Sequence, residues 1–160
     1  VEQGVLLDPM QCRRRVLGID IDIRAHNHSA IESHPMAHRI DMLQGSSIDP
    51  NVVRNVHEKA AGFDRVLVLL DSNHTHAHAL AELEAYGPLV SMGSYCVVFD
   101  TIIELLPEEM SSDRPWGVGD NPWTATQEYL VRHPEFQVDK MIDDKLLISV
   151  APGGYLRRIA

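Results

Sequence analysis

Three apolar, strand-like runs in this chain carry aspartate at or next to their carboxyl ends: Arg15-Val-Leu-Gly-Ile-Asp-Ile-Asp-Ile23, Arg65-Val-Leu-Val-Leu-Leu-Asp71 and Ser94-Tyr-Cys-Val-Val-Phe-Asp100. Segments with helical patterning lie between them. The first run leads into a helix over Arg24 to His34. A second strand, Arg39 to Leu43, leads through Gly45-Ser46-Ser47-Ile48 to Asp49-Pro50, an N-cap followed by proline at the first helical position, and Gly62 ends that helix. After Asp71 a short polar loop precedes Ala77 to Tyr86, whose Leu80, Leu83 and Tyr86 mark one helical face, and Gly87-Pro88 stops it. Residues 107–122 are rich in Pro, Gly and acidic residues and hold Trp116, so they read as a surface loop; a helix over Pro122 to His133 follows. The tail, Lys145 to Val150, then Ala-Pro-Gly-Gly, then Tyr155 to Ile159, reads as a hairpin.

Alternating strands and helices imply an α/β fold with a mostly parallel sheet, covered by helices on both faces, its last strand antiparallel. At 160 residues, one domain is expected, with residues 1–14 an irregular N-terminal remnant. A net charge of -9 without a Lys/Arg block removes the electrostatic basis for binding nucleic acid or an anionic membrane. No apolar stretch is long enough to span a bilayer. Two cysteines, Cys12 and Cys96, lack both metal-type spacing and disulfide density, which points to a reducing cytoplasm.

In an open α/β sheet, ligands bind outside the carboxyl ends of the strands, where Asp20, Asp22, Asp71 and Asp100 are expected. Asp20 is placed to accept hydrogen bonds from ribose hydroxyls of a nucleoside-containing cofactor; Asp20 and Asp22 could equally cap the following helix. Asp71 and Asp100 end neighbouring strands in the simplest topology, so their carboxylates could converge on a hydrated cation such as Mg²⁺. Aspartate also suits turns at strand ends. His74, on the loop after Asp71, is placed to take a proton from a group bound there. The alternating histidines of His74-Thr-His-Ala-His78 offer a second chemistry, a zinc-dependent hydrolase, although no downstream histidine pattern completes a zinc site. A nicotinamide dehydrogenase and a non-catalytic, truncated Rossmann-like domain are further alternatives.

The stretches Gly18-Ile-Asp-Ile-Asp-Ile-Arg24, Gly45-Ser-Ser-Ile-Asp49, Leu70-Asp-Ser-Asn-His-Thr-His76, Leu83-Glu-Ala-Tyr-Gly-Pro-Leu-Val90, Gly93-Ser-Tyr95 and Asp144-Lys-Leu-Leu-Ile together resemble the cephalosporin hydroxylase and rhamnosyl O-methyltransferase family. The resemblance covers roughly residues 15 to 158. It implies a Rossmann-like methyltransferase fold that binds S-adenosylmethionine, often with Mg²⁺, and acts on a hydroxyl of a small natural product or sugar; apart from the resemblance, an open sheet edge could pair with another copy to give a homo-oligomer. By position, Asp20 resembles the ribose-binding acid, Ser47 lies where related enzymes contact the adenine, Asp71 and Asp100 resemble the metal ligands, and His74 resembles the base; Asp22, Ser46 and Asp71 are expected beside Asp20 and Ser47 among the cofactor-binding residues. Where relatives carry Glu-Asp, this chain has Phe99-Asp100, one carboxylate fewer. The family's first strand and glycine-rich loop have no visible counterpart before Arg15, so the domain reads as partial, with its first strand missing.

Overall fold

The computed structural model describes residues 14–160, so Cys12 and nearly all of the expected N-terminal remnant lie outside the described residues. Two compact units emerge, one ending at Ser46 and one running from Ser47 to Ala160.

In the first unit, β1 (Val16–Asp20) leads to α1 (Ala25–Glu32), a single 3-10 turn at Ala37–Arg39, and β2 (Ile40–Gln44). The two strands pair in parallel from Val16↔Ile40 to Asp20↔Gln44, which requires the crossover that α1 supplies. Arg15 grips the Asp41 carboxylate with two guanidinium bonds of 3.1 and 3.0 Å. The expected burial of the Arg15–Ile23 run is not found: Val16 is 61% and Ile21 69% exposed. Among the described residues β1 has one strand neighbour, and α1, which has no buried residue, brings no apolar stripe to cover it.

The second unit opens with α2 (Pro50–Ala60), started as its sequence dictates by Asp49, whose side chain accepts from the amides of Asn51 and Val52. Then come β3 (Val68–Leu70), α3 (His76–Tyr86), β4 (Tyr95–Val98), two 3-10 segments at Thr101–Leu105 and Glu108–Ser111, α4 (Pro122–Arg132), β5 (Phe136–Val138), α5 (Lys140–Leu146) and β6 (Tyr155–Arg158). The sheet order is β3-β4-β6-β5, with β3 parallel to β4 and β6 antiparallel to both its neighbours. The core holds Leu83, Tyr129, Cys96, Val98 and Leu156, all buried, where α3 packs against α4 and β3, and α4 against β4. Gly154 is required at the start of β6, because an added Cβ would lie 2.2 Å from the Val98 carbonyl oxygen.

The expected hairpin is corrected. Lys145 and Leu146 end α5 rather than begin a strand; Asp139 caps that helix by accepting from the Met141 amide, and Leu147 leaves it at φ 64°. The reason is topological: both edges of β6 are taken, by β4 on one side and β5 on the other, so no ladder remains for residues 145–150. Leu147 and Ile148 stand 85% and 92% exposed instead.

Candidate active site

Parallel pairing of β3 with β4 brings the carboxyl ends of both strands together, and the ladder extends through Phe99, whose amide donates to the Leu70 carbonyl at 2.9 Å. The next residue on each strand bears a carboxylate, Asp71 on one and Asp100 on the other. Asp100 adopts left-handed backbone, φ 56° and ψ 21°, and its side chain makes no cap bond to the 3-10 segment that it precedes. The carboxylate is therefore turned to other use. His74 Nε2 lies 3.0 Å from Asp100 Oδ2 and 3.8 Å from Asp71 Oδ1. One ligand atom from each of the three residues falls within 4.8 Å of the others. Burial raises the Asp100 pKa above the usual carboxylate range, and neighbouring Asp71 raises it further against the opposing pull of His74. Two carboxylates that crowd each other, with Asp71 open to solvent, suit a hard cation that keeps several of its waters, so the donor set fits Mg²⁺.

His74 sits on an ordered turn. Asn73 Oδ1 accepts from the amide and hydroxyl of Thr75, and Thr75 caps α3 by accepting from the His78 amide. One ring contact escaped sequence reasoning: Trp116 packs edge-on against the His74 imidazole, centroids 4.9 Å apart and planes at 70°. The signal was a tryptophan within a Pro/Gly-rich loop, where a purely solvated loop would have no use for one.

The histidine run does not converge, which corrects the zinc reading. His76 turns to α4, with Nδ1 2.8 Å from Thr124 Oγ1 and Nε2 3.0 Å from Glu128 Oε2, while His78 Nε2 meets Ser47 Oγ at 3.0 Å. The cause is helical geometry: His76 and His78 lie two positions apart on α3 and face different ways, while His74 precedes the helix.

The proposed cofactor residues fall in both units. In the first, Asp20 ends β1; its Oδ1 accepts from the Asp22 amide at 2.9 Å, and its carbonyl accepts from the Gly45 amide. A cleft of about 360 Å³ lies beside it, lined by Gly18, Ile23, Asn27, Ile31 and Met42. Ser46 closes this unit, partly exposed. In the second, Ser47 is held by His78 at its hydroxyl and by the Tyr86 hydroxyl, which donates to its carbonyl.

The family model for Rhamnosyl O-methyltransferase/CmcI matches residues 3–159. A rhamnosyl O-methyltransferase of Mycobacterium bovis (strain BCG / Pasteur 1173P2) is 29% identical over 152 residues, covering 90% of this chain and 56% of that protein. The rhamnosyl O-methyltransferase of Mycobacterium leprae (strain TN) is 25% identical over 151 residues, covering 90% and 59%. The chain thus spans little more than half the length of the curated relatives it matches. Among solved structures, the MycE methyltransferase from the mycinamycin biosynthetic pathway, in complex with Mg and SAH, aligns with a TM-score of 0.50 at 20% identity over 81% of this chain and 31% of that one. That likeness is one of fold.

Proposed function

The chain belongs to the rhamnosyl O-methyltransferase/CmcI family, and from that premise we propose that it forms part of an S-adenosylmethionine-dependent, metal-assisted O-methyltransferase domain acting on a hydroxyl of a small natural product or sugar. The observation that carries the reading is the meeting of Asp71, His74 and Asp100 at the carboxyl ends of adjacent parallel strands.

Asp71 and Asp100 would hold Mg²⁺ through carboxylate oxygens. When bound, the ion would lower the pKa of a coordinated hydroxyl, and the cofactor would supply the methyl group. His74 would take the hydroxyl proton at Nδ1, because Nε2 is committed to Asp100, 3.0 Å away, and that carboxylate stabilises the imidazolium that results. The same pairing orients the ring, and the ordered turn from Asn73 to Thr75 fixes where it stands. Asp20, with Asp22 beside it, would accept from ribose hydroxyls at the mouth of the cleft between β1 and α1, and Ser46 and Ser47 would contact the adenine side. Positioning is the protein's main contribution.

A buried, unpaired Cys96 suits a reducing cytoplasm, and the net charge of -9 disfavours nucleic acid as a partner. Among the described residues no helix is long and apolar enough to cross a membrane.

Titration calorimetry on the natural protein tests the reading. S-adenosylhomocysteine should bind, more tightly with Mg²⁺ present, and Asp20→Ala should weaken it. Tight NADH binding with no response to S-adenosylhomocysteine would transfer the case to a dehydrogenase.

A further inference from the structure

We propose that Trp116 is a positioning residue for His74, and that Glu104 sets Trp116 in place by latching the loop that carries it. The functional role rests on Asp71, His74 and Asp100 forming the reaction centre; the latch is a matter of geometry alone.

The loop joins the second 3-10 segment to α4. Its tip is a tight turn in which Gly117 and Asp120 exchange backbone bonds of 3.0 and 3.1 Å, with Gly119 at φ 83°. From that turn the loop is tied to both segments that carry the reacting groups. On one side is Glu104, in the 3-10 segment directly after Asp100: its Oε2 accepts from the Gly119 amide at 2.9 Å and from Asn121 Nδ2 at 2.6 Å. Asn121 is 0% exposed, donates also to the Gly117 carbonyl, and caps α4 through the Trp123 and Thr124 amides. On the other side, Asp120 Oδ1 accepts from the His76 amide at 2.7 Å, at the start of α3 and close after His74. The bonds to Glu104 and Asp120 have carboxylate acceptors and are of the stronger kind.

The loop is therefore registered to the His74 segment and the Asp100 segment at once. A tryptophan presented this way is a fixed wall rather than a lid. The second side-chain torsion of histidine is broad, so one bond to Asp100 leaves the imidazole free to tilt. The Trp116 contact, in the edge-on geometry that aromatic pairs favour, removes that freedom and keeps Nε2 on Asp100. Groups that orient residues at a metal site in this manner are typically worth about 10- to 100-fold in metal affinity.

The test compares Trp116→Ala, Trp116→Phe, Glu104→Ala and Glu104→Gln in the metal-free, isotope-labelled protein. Nuclear magnetic resonance would follow the ring-proton shifts of His74, which carry the ring current of Trp116. Trp116→Ala should abolish that displacement, and Glu104→Ala should abolish most of it. Glu104→Gln, whose carbonyl still accepts, should restore it, and Trp116→Phe should keep part. Mn²⁺ affinity, read by electron paramagnetic resonance, should fall about 10-fold in both alanine variants, with no further loss when they are combined. The proposal is overturned if Glu104→Ala, folded by circular dichroism, leaves the His74 shifts at their native values. Should Glu104→Ala unfold, Trp116→Ala decides alone: native His74 shifts and native Mn²⁺ affinity would overturn it. If the unsubstituted protein binds no Mn²⁺, the metal reading fails while the ring shifts still decide the latch.

Discussion

His74 Nε2 lies 3.0 Å from Asp100 Oδ2, and Asp100 reaches it from left-handed backbone at φ 56°. For a residue with a Cβ that conformation costs on the order of 1 kcal/mol, and here it stands where two carboxylates converge. Asp100→Gly should therefore raise stability by about 1 kcal/mol in urea denaturation while weakening Mn²⁺ binding at least tenfold. A loss of stability with intact metal binding would mean that Asp100 serves the fold and not the site.

Gly87 touches Tyr129 so closely that a Cβ would lie 2.1 Å from the phenol oxygen and 3.0 Å from Cζ. Gly87→Ala should cost about 1–3 kcal/mol through overpacking. The Tyr129 hydroxyl is buried with no hydrogen-bond partner among the described residues, so Tyr129→Phe should change stability by less than about 1 kcal/mol. Combined, the two changes should recover part of the Gly87→Ala loss, because removing the hydroxyl removes the nearer of the two clashes. Strict additivity in chemical denaturation would contradict this contact.

Local signals explain what could be read from the residues and what could not. Asp49-Pro50 started α2 as written because capping is settled within one turn. Asp71 and Asp100 could be placed because apolar runs of that length form strands and adjacent parallel strands end together. The tail failed because its fate depends on distant partners: Phe136–Val138 is too short to announce itself, yet it takes the edge of β6 that the expected hairpin needed. Hydrophobicity alone made Lys145 to Val150 look like a strand. Trp116 was visible as a residue but not as a neighbour of His74, since nothing local couples a loop after two 3-10 segments to the turn before α3.

Burial pushes the Tyr86 hydroxyl up to about 12, with Glu82 adding to the shift, and burial likewise raises Tyr129. Tyr95 is raised chiefly by the hydrogen bond it donates to Asp139. A folded pKa above the unfolded value means stability that is whole below about pH 10 and is lost as pH climbs through the folded values. Phenolate absorbance at 295 nm from these three residues should appear late, together with loss of the circular dichroism signal, and near pH 10 in urea. Early ionisation with the fold intact would contradict their environments.

Cys96 is 0% exposed, and burial pushes its thiol up to about 12. Thiolate is the reactive form, so iodoacetamide near pH 8 should leave the Cys96 peptide unmodified in the native protein and label it in urea. Mass spectrometry reads both states. Rapid native labelling would show that the β4 core opens easily.

Crystals grown with Mn²⁺, measured at the manganese absorption edge, address the metal centre directly. An anomalous peak is expected beside β3 and β4, roughly 2.0–2.3 Å from a carboxylate oxygen of Asp71 and one of Asp100, with water completing the sphere and His74 within reach of it. A peak on His76 or His78, or none at saturating Mn²⁺ with the two carboxylates turned apart, would contradict the assignment of Asp71 and Asp100 as the cation-holding half of a methyltransferase site.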